Sequence, residues 1–298
     1  MSVNMPYRSG FVAIIGRPNV GKSTLLNQLL GQKISIVSDK PQTTRNRILG
    51  VKHLPEGQMV FFDTPGVHKA RTKLNQRMVQ AALDSLNEVD LIFFLVEPDA
   101  APGEGDLFIA DHLKKIDTPQ ILVVNKIDLI KKERLIPLLD FYGRQGNFSE
   151  MIPISALTGE NVDRLTAAAL SHLPEGAPYF PEDVVTDQPV RFLAAEIIRE
   201  KVIEKTREEI PYAVAVQIEE FKEEEARNLM SIRATLFVER DSQKGILIGE
   251  KGGMLKEIGT AARQELQSLL GAKIFLELWV KVKKDWSKDE PFLTEMGY

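Results

Sequence analysis

The residues with the clearest chemistry lie near the start of the chain. Gly16-Arg17-Pro18-Asn19-Val20-Gly21-Lys22-Ser23, continued by Thr24, spaces two glycines five residues apart and ends on a lysine and a hydroxyl. Glycines let successive backbone N–H groups curl round phosphate oxygens, and a helix starting there adds its N-terminal dipole. In such a loop Lys22 reaches the β- and γ-phosphates of a nucleotide, and Ser23 ligates Mg²⁺. The plain alternative is a glycine turn with a solvated lysine. A string of this form arises by chance in roughly one chain of this length in a hundred, so the phosphate reading is preferred.

Three further strings complete a nucleotide site. In Asp63-Thr64-Pro65-Gly66 the carboxylate suits the Mg²⁺ shell and the Gly66 N–H suits a γ-phosphate, although Asp before Pro-Gly also makes an ordinary turn. In Asn125-Lys126-Ile127-Asp128 the last carboxylate can accept hydrogen bonds from guanine N1–H and N2–H₂, a pair of donors that adenine lacks. Asn125 then braces the base pocket, and the Lys126 stem packs over the ring. Ser155-Ala156-Leu157 brings the Ala156 N–H near guanine O6. Each string alone has a bland loop reading. All of them in this order, each after an apolar run, do not.

Holding these strings together requires a sheet. Residues 11–15, 59–62, 91–96 and 121–124 are apolar runs too short for helices, and 151–153 reads as a last strand. Helical spacing appears at 22–30, 73–86, 106–115 and 162–172. Strands alternating with helices predict an α/β domain, a mostly parallel sheet with helices on both faces. Residues 174–189 hold Pro174, Gly176, Pro178, Pro181 and Pro189 without periodicity, as a semi-rigid connector does. Beyond it the pattern changes to a helix at 190–203, alternating strands at 212–220 and 231–239, a glycine-bearing turn at 245–253, a helix at 254–270 and a strand at 273–282. That is a small α+β unit. The expected division is a flexible N-terminus 1–10, a first domain 11–173, a linker 174–189, a second domain 190–285 and a tail 286–298.

The motifs at 16–23, 63–66, 125–128 and 155–157 resemble those of the GTPase superfamily. The resemblance implies a P-loop GTPase domain that binds GTP and GDP with Mg²⁺ and hydrolyses GTP. It also implies a switch loop at Pro41-Gln42-Thr43-Thr44-Arg45, where one threonine closes on Mg²⁺ and γ-phosphate; Thr44 is favoured over Thr43. One position departs from many members. Val67 stands where a glutamine often orients the attacking water. Valine cannot hydrogen-bond water, so hydrolysis must be organised otherwise. In a subset of GTPases with this Pro-Asn loop and a hydrophobic residue after the second motif's glycine, K⁺ stands in for an arginine finger and the loop asparagine ligates it. That resemblance places Asn19 beside Lys22, Thr44 and Gly66 as a catalytic candidate; the alternative is a turn residue tolerant of left-handed backbone.

The second unit carries Ile248-Gly249-Glu250-Lys251-Gly252-Gly253. Gly249 and Gly252 admit a sugar–phosphate backbone, Lys251 adds charge, and neighbouring N–H groups bind phosphate. Two glycines three apart are a weak signal alone. With the surrounding helices and strands they resemble a type II KH domain, which clamps single-stranded RNA. Ile246, Ile248 and Ile258 are candidates for an apolar floor under bases. Lys281, Lys283 and Lys284 lie between Trp279 and Trp286, pairing attraction for phosphate with a stacking surface. For Trp279 a core position is the favoured reading, and the acidic stretch 219–225 is expected to be a solvated edge away from RNA.

A GTPase domain followed by a KH domain over nearly the whole chain resembles the Era family of bacterial ribosome-assembly GTPases, a likeness that extends to 63–68, 258–263 and 276–284. It implies a single-stranded segment near the 3′ end of small-subunit (16S) rRNA as partner, the 30S subunit as the particle being assembled, and peripheral association with the cytoplasmic face of the inner membrane. DNA is not expected as a partner. Two rivals stand beside this reading. A P-loop ATPase or kinase is disfavoured by Asn125–Asp128. A GTPase switch whose C-terminal domain binds a protein or membrane partner is disfavoured by the Gly249–Gly252 loop.

Composition narrows the rest. The net charge of -4 argues against a chain coated in basic charge, and residues 184–298 hold 18 Lys/Arg against 21 Asp/Glu. Single-stranded RNA gripped through glycines and apolar contacts tolerates that balance better than duplex DNA would. The absence of cysteine excludes disulfides and thiolate metal sites, and the scattered His53, His68, His112 and His172 do not suggest a zinc site. The apolar runs reach a third or less of the ~20 residues of a spanning helix. Residues 1–10 lack the apolar stretch of a signal peptide, so a soluble cytoplasmic chain is expected.

Overall fold

The computed structural model describes residues 6–40, 43–64, 66, 86, 88–98, 102–224 and 228–297. These fall into two compact units: one takes the described residues of 1–35, 44–71 and 75–187, the other those of 36–43 and 188–298.

The first unit is built on a six-stranded sheet in the order β2-β3-β1-β4-β5-β6. The strands are β1 (Arg8–Gly16), β2 (Ile48–Leu54), β3 (Gly57–Asp63), β4 (Leu91–Val96), β5 (Gln120–Val124) and β6 (Glu150–Pro153). Every residue of β3, β4 and β5 is buried, which explains why they read as unbroken apolar runs. The pairs β1–β3, β1–β4, β4–β5 and β5–β6 are parallel. Only β2 runs antiparallel, against β3, because Pro55-Glu56 leaves a two-residue link that can join only antiparallel neighbours. Helices α1 (Lys22–Leu30), α2 (Glu104–Leu113), α3 (Leu135–Gln145) and α4 (Val162–His172) complete the α/β fold. Residues 73–85 lie outside the described residues.

Two expectations about this unit change. β1 begins at Arg8, paired with Gly57, so residues 8–10 of the expected flexible N-terminus are strand. The proline-rich connector is not a free tether: residues up to Asp187 belong to the first unit. Gln58, fully buried, donates to the Phe180 carbonyl at 2.7 Å and accepts from the Tyr179 and Phe180 N–H groups at 2.7 and 3.0 Å. The Val51 N–H donates to the Val185 carbonyl at 2.7 Å, and Phe180 and Val184 pack on Leu49, Val51, Val60 and Phe62. Prolines removed helical structure here without removing contacts.

The second unit has a three-stranded sheet, β7 (Ala215–Glu224), β8 (Leu229–Val238) and β9 (Lys273–Val282), in that order. β7 and β8 are antiparallel, while β8 and β9 are parallel. Apart from a single helical turn at Ile210–Ala213, its described helices are α5 (Val190–Lys205), α6 (Asp241–Ile248), α7 (Gly253–Leu270) and α8 (Glu290–Glu295). Ile198 and Val202 of α5, Ile258 and Leu266 of α7, and Ile232, Leu236 and Val280 of the sheet share one core. The first half of the expected 245–253 turn is therefore the end of α6. The tail is folded as well. Trp286 is fully buried, donates its indole N–H to the Ala213 carbonyl at 2.9 Å, and stands edge-on to Phe292 of α8.

Candidate functional site

Each motif of the first unit sits where a parallel strand ends: Gly16 closes β1, Asp63 closes β3, Asn125 follows β5 and Ser155 comes two residues after β6. The carboxyl ends of such strands form the ligand crevice of open α/β sheets. Gly21 has φ of 95°, and a Cβ there would lie 2.3 Å from Asn125 Nδ2. The loop therefore demands glycine both for its backbone and for the wall against it. Asn125, buried, is the tie between loops: its Nδ2 donates to the Val20 carbonyl at 2.8 Å, and its Oδ1 accepts from the Ala156 N–H at 2.9 Å.

Lys22 is buried and donates to the carbonyls of Gly16 at 3.2 Å and Arg17 at 2.9 Å. Burial pushes its ammonium down to about 8, against the pull of Asp63. The same burial pushes the Asp63 carboxyl up, opposed by the Ser23 hydrogen bond, the Lys22 charge and the Ser35 hydrogen bond. Ser23 Oγ donates to Asp63 Oδ2 at 2.7 Å and lies 2.9 Å from Thr44 Oγ1. Asp63 Oδ1 is buried with no hydrogen-bond partner among the described residues. The Ser23 and Ser35 hydroxyls meet one oxygen of a carboxylate with spare acceptor capacity, and Thr44 Oγ1 lies against Ser23, an oxygen donor set that fits a hard cation. Thr43 turns away instead, its hydroxyl donating to the Lys40 carbonyl at 2.6 Å.

Other candidates divide between the crevice and the scaffold. Asp128 is exposed in a short 3₁₀ turn after β5, and Leu157 is also exposed. Gly66 is buried close to Pro18, with space for a Cβ only 2.7 Å from the Pro18 nitrogen. Asn19 has left-handed backbone, φ 67°. Thr64 gives its hydroxyl to the Ile14 carbonyl at 2.8 Å, and Ser155 Oγ accepts from the Thr158 N–H at 3.2 Å. Arg17 donates to Asp106 at 2.7 Å, so its side chain is part of the scaffold. Pro65 and Val67 lie outside the described residues. Three residues escaped sequence reasoning: Ser35, which donates to Asp63 Oδ2 at 2.9 Å; Glu97, which pairs with Lys126; and Asp106, which holds Arg17. Glu97 directly follows β4, and that position was the one available signal.

In the second unit the glycine loop joins α6 to α7. Gly249, Lys251 and Gly252 all have positive φ, 71°, 51° and 79°. Among the described residues nothing lies within 4 Å of a Cβ built at Gly252 or Gly253, so the loop is open at that end, whereas at Gly249 a Cβ would lie 2.7 Å from that of Met254. Lys251 and Glu250 are exposed, Ile248 is half-buried and Ile246 is 49% exposed; Ile258 is core and cannot serve as a floor for bases. Trp279, expected in the core, is 54% exposed. Lys281 lies 3.6 Å from Glu219, and Lys283 lies 3.0 Å from Asp289 and over the Phe292 ring. The acidic stretch is therefore not remote from the lysines, and Glu219 offsets part of their charge. Lys284 is exposed.

A family model described as 50S ribosome-binding GTPase matches residues 11–126, and a KH domain model matches residues 209–287. The chain is similar to the GTPase Era of Geobacter metallireducens, 57% identical over 98% of both chains. It is also similar to that of Ruminiclostridium cellulolyticum, 52% identical over 99% of this chain and 98% of the relative. Among solved structures, Aquifex aeolicus Era bound to GDP·AlF₄⁻ superposes with a TM-score of 0.95 at 46% identity, covering 98% of this chain and 99% of that one. Era in complex with MgGDPNP and nucleotides 1506–1542 of 16S ribosomal RNA gives the same TM-score, identity and coverage. With a strand-end crevice lined by all four motifs and a glycine loop set between two helices of a second unit, the chain belongs to the Era family of GTPases.

Proposed function

We propose that this chain is a GTP-driven switch that binds the single-stranded 3′ region of 16S rRNA through its KH domain during 30S subunit assembly. The observation that carries the nucleotide half is the Asp63 carboxylate, with one oxygen bonded to Ser23 and Ser35 and the other unpartnered among the described residues. Ser23 and Thr44 would hold Mg²⁺, with Asp63 in its outer shell; when bound, the ion neutralises charge on the β- and γ-phosphate oxygens. Residues 16–24, Pro18 excepted, cradle the phosphates through backbone N–H groups, Lys22 neutralises charge on them, and the Gly66 N–H contacts the γ-phosphate, with Thr64 and Pro65 as the neighbouring nucleotide-binding candidates. Asn125, Lys126 and Asp128, with Ser155, Ala156 and Leu157, take the guanine. With valine at 67, Asn19 is the candidate ligand for K⁺, and equal hydrolysis in sodium and potassium buffers of matched ionic strength would refute that role.

The RNA half rests on the Gly249–Gly252 loop, open at its Gly252 end, with Ile248, Glu250, Lys251 and Gly253 around it and Lys281, Lys283 and Lys284 as supporting charge. The solved Era complex with MgGDPNP and a 16S rRNA segment supports the same pairing of ligands. The proposed G domain 11–173 and KH domain 190–285 are extended by the segments packed on them: residues 8–10 and 174–187 go with the first unit and the described tail with the second. Among the described residues no helix is long and apolar enough to cross a membrane. Cytoplasmic location with peripheral contact to the inner membrane is inferred from the family. The deciding experiment is to crosslink the chain to RNA in cells and sequence what is bound. Recovery of the 16S 3′ end is expected; recovery of protein or lipid partners without RNA would favour the rival reading of the C-terminal domain.

A further inference from the structure

The loop ahead of Thr44 is anchored at its ends and along its length by different groups. Ser35, before it, donates to Asp63 Oδ2 at 2.9 Å, and Thr44, after it, lies 2.9 Å from Ser23 Oγ. The stretch between, 36–43, belongs to the second unit. There the Val37 N–H donates to Glu200 at 2.9 Å, Lys40 donates to the Ile203 and Thr206 carbonyls at the C-terminal end of α5, and Arg199 donates to the Thr43 carbonyl.

Arg199 and Glu200 are almost wholly buried, at 0% and 1% exposure. Glu196 holds the Arg199 guanidinium in a two-pronged pair at 2.7 and 2.6 Å. Buried ion pairs seldom stabilise a fold better than apolar side chains of the same volume. Here Arg199 Nη2 and Glu200 Oε1 hold loop backbone groups, which an apolar replacement would leave unheld. Lys201 continues the chain of contacts, 3.3 Å from Glu200 and 2.6 Å from Glu265 of α7, the helix that starts at the glycine loop.

We propose that Arg199 and Glu200 are positioning residues for the nucleotide site: through Thr43 and Val37 they set the loop that delivers the Thr44 hydroxyl, so α5 discriminates the triphosphate from the diphosphate without touching either. This rests on the reading of Thr44 as a ligand of the triphosphate state. The test measures affinity of the full chain for GDPNP and GDP in Mg²⁺ buffer, with melting of the GDP form as a control for folding. Arg199→Gln and Glu200→Ala are expected to weaken GDPNP about tenfold with less than about a twofold change for GDP, within the usual range of coupling between sites. Glu200→Gln, which keeps an acceptor for the Val37 N–H, is expected to restore binding close to the parent. Lys40→Met is the safer variant, because its side chain is only partly buried, and should act in the same direction by roughly threefold. An unchanged GDPNP-to-GDP ratio in Lys40→Met and in whichever α5 variant folds would overturn the proposal. Thr44→Ala separates the layers: if it too leaves the ratio unchanged, the Thr44 reading falls and the proposal with it. If Thr44→Ala alone collapses the ratio, only the positioning role falls. Failure of the parent chain to bind a 16S 3′ oligonucleotide would sink the proposed RNA partner and leave the ratio readable.

Discussion

Two glycine loops serve this molecule, and they are built in opposite ways. At Gly21 a Cβ would meet Asn125 at 2.3 Å; at Gly252 it would meet no described atom within 4 Å. Both glycines have positive φ, 95° and 79°, so both backbones resist ordinary residues. The difference is the wall. The first loop is finished by its own protein, with Asn125 tied to Val20 on one side and Ala156 on the other. The second is left for its ligand to finish. A small rigid ligand rewards a preformed cradle, while a strand of nucleic acid needs an approach from outside.

The comparison can be broken from its strongest side first. Gly21→Ala faces both strain and collision, so GTP affinity measured by calorimetry should fall about a thousandfold, ~4 kcal/mol. Retained affinity would show that the wall yields. Next, Asp128→Asn should lower guanine-nucleotide affinity by roughly a hundredfold in competition assays against ATP, since the carboxylate would no longer accept both donors. Undiminished preference for GTP would contradict the base pocket. Gly252→Asp should weaken RNA by about tenfold or more in gel-shift titrations, through repulsion of phosphate, and leave GTP binding intact. Loss of both would erase the distinction between the loops. The smallest effect sharpens the open side. Glu219→Gln removes an exposed charge 3.6 Å from Lys281 and should tighten RNA by about twofold at low salt, fading as salt rises. Weaker binding would mean that Glu219 itself contacts RNA.

Sequence patterns reached the first loop better than the second because chemistry there is local. Lys22 and Ser23 stand next to the glycine that shapes the loop, and strands β3, β4 and β5 are buried on both faces, so their runs stand out. What stayed hidden depends on distant partners. Ser35 is an ordinary serine until Asp63 meets it, and Gln58 reads as a polar residue in a strand until it binds the backbone at Tyr179 and Phe180. β2 escaped because it is apolar only at its start, with Lys52 and His53 near its end. The tryptophans were misjudged for the same reason. Trp279 lies on β9, where Ile274 and Val280 take the buried positions, whereas Trp286 gained its burial from α8 and Ala213, contacts that no periodicity announces.

The placement of those tryptophans gives the molecule a built-in optical label. The chain has only these two, and both lie in the second unit. Light absorbed by indole alone therefore reports on the RNA-facing unit and is blind to the nucleotide-facing one. Trp286, sealed in apolar surroundings with its N–H bonded to a carbonyl, should emit at short wavelength and shift red only when that unit unfolds. Trp279, open to solvent, should emit at longer wavelength and be reached by iodide or acrylamide. Without any added dye, the two ends of one emission spectrum can follow folding and surface occupancy separately.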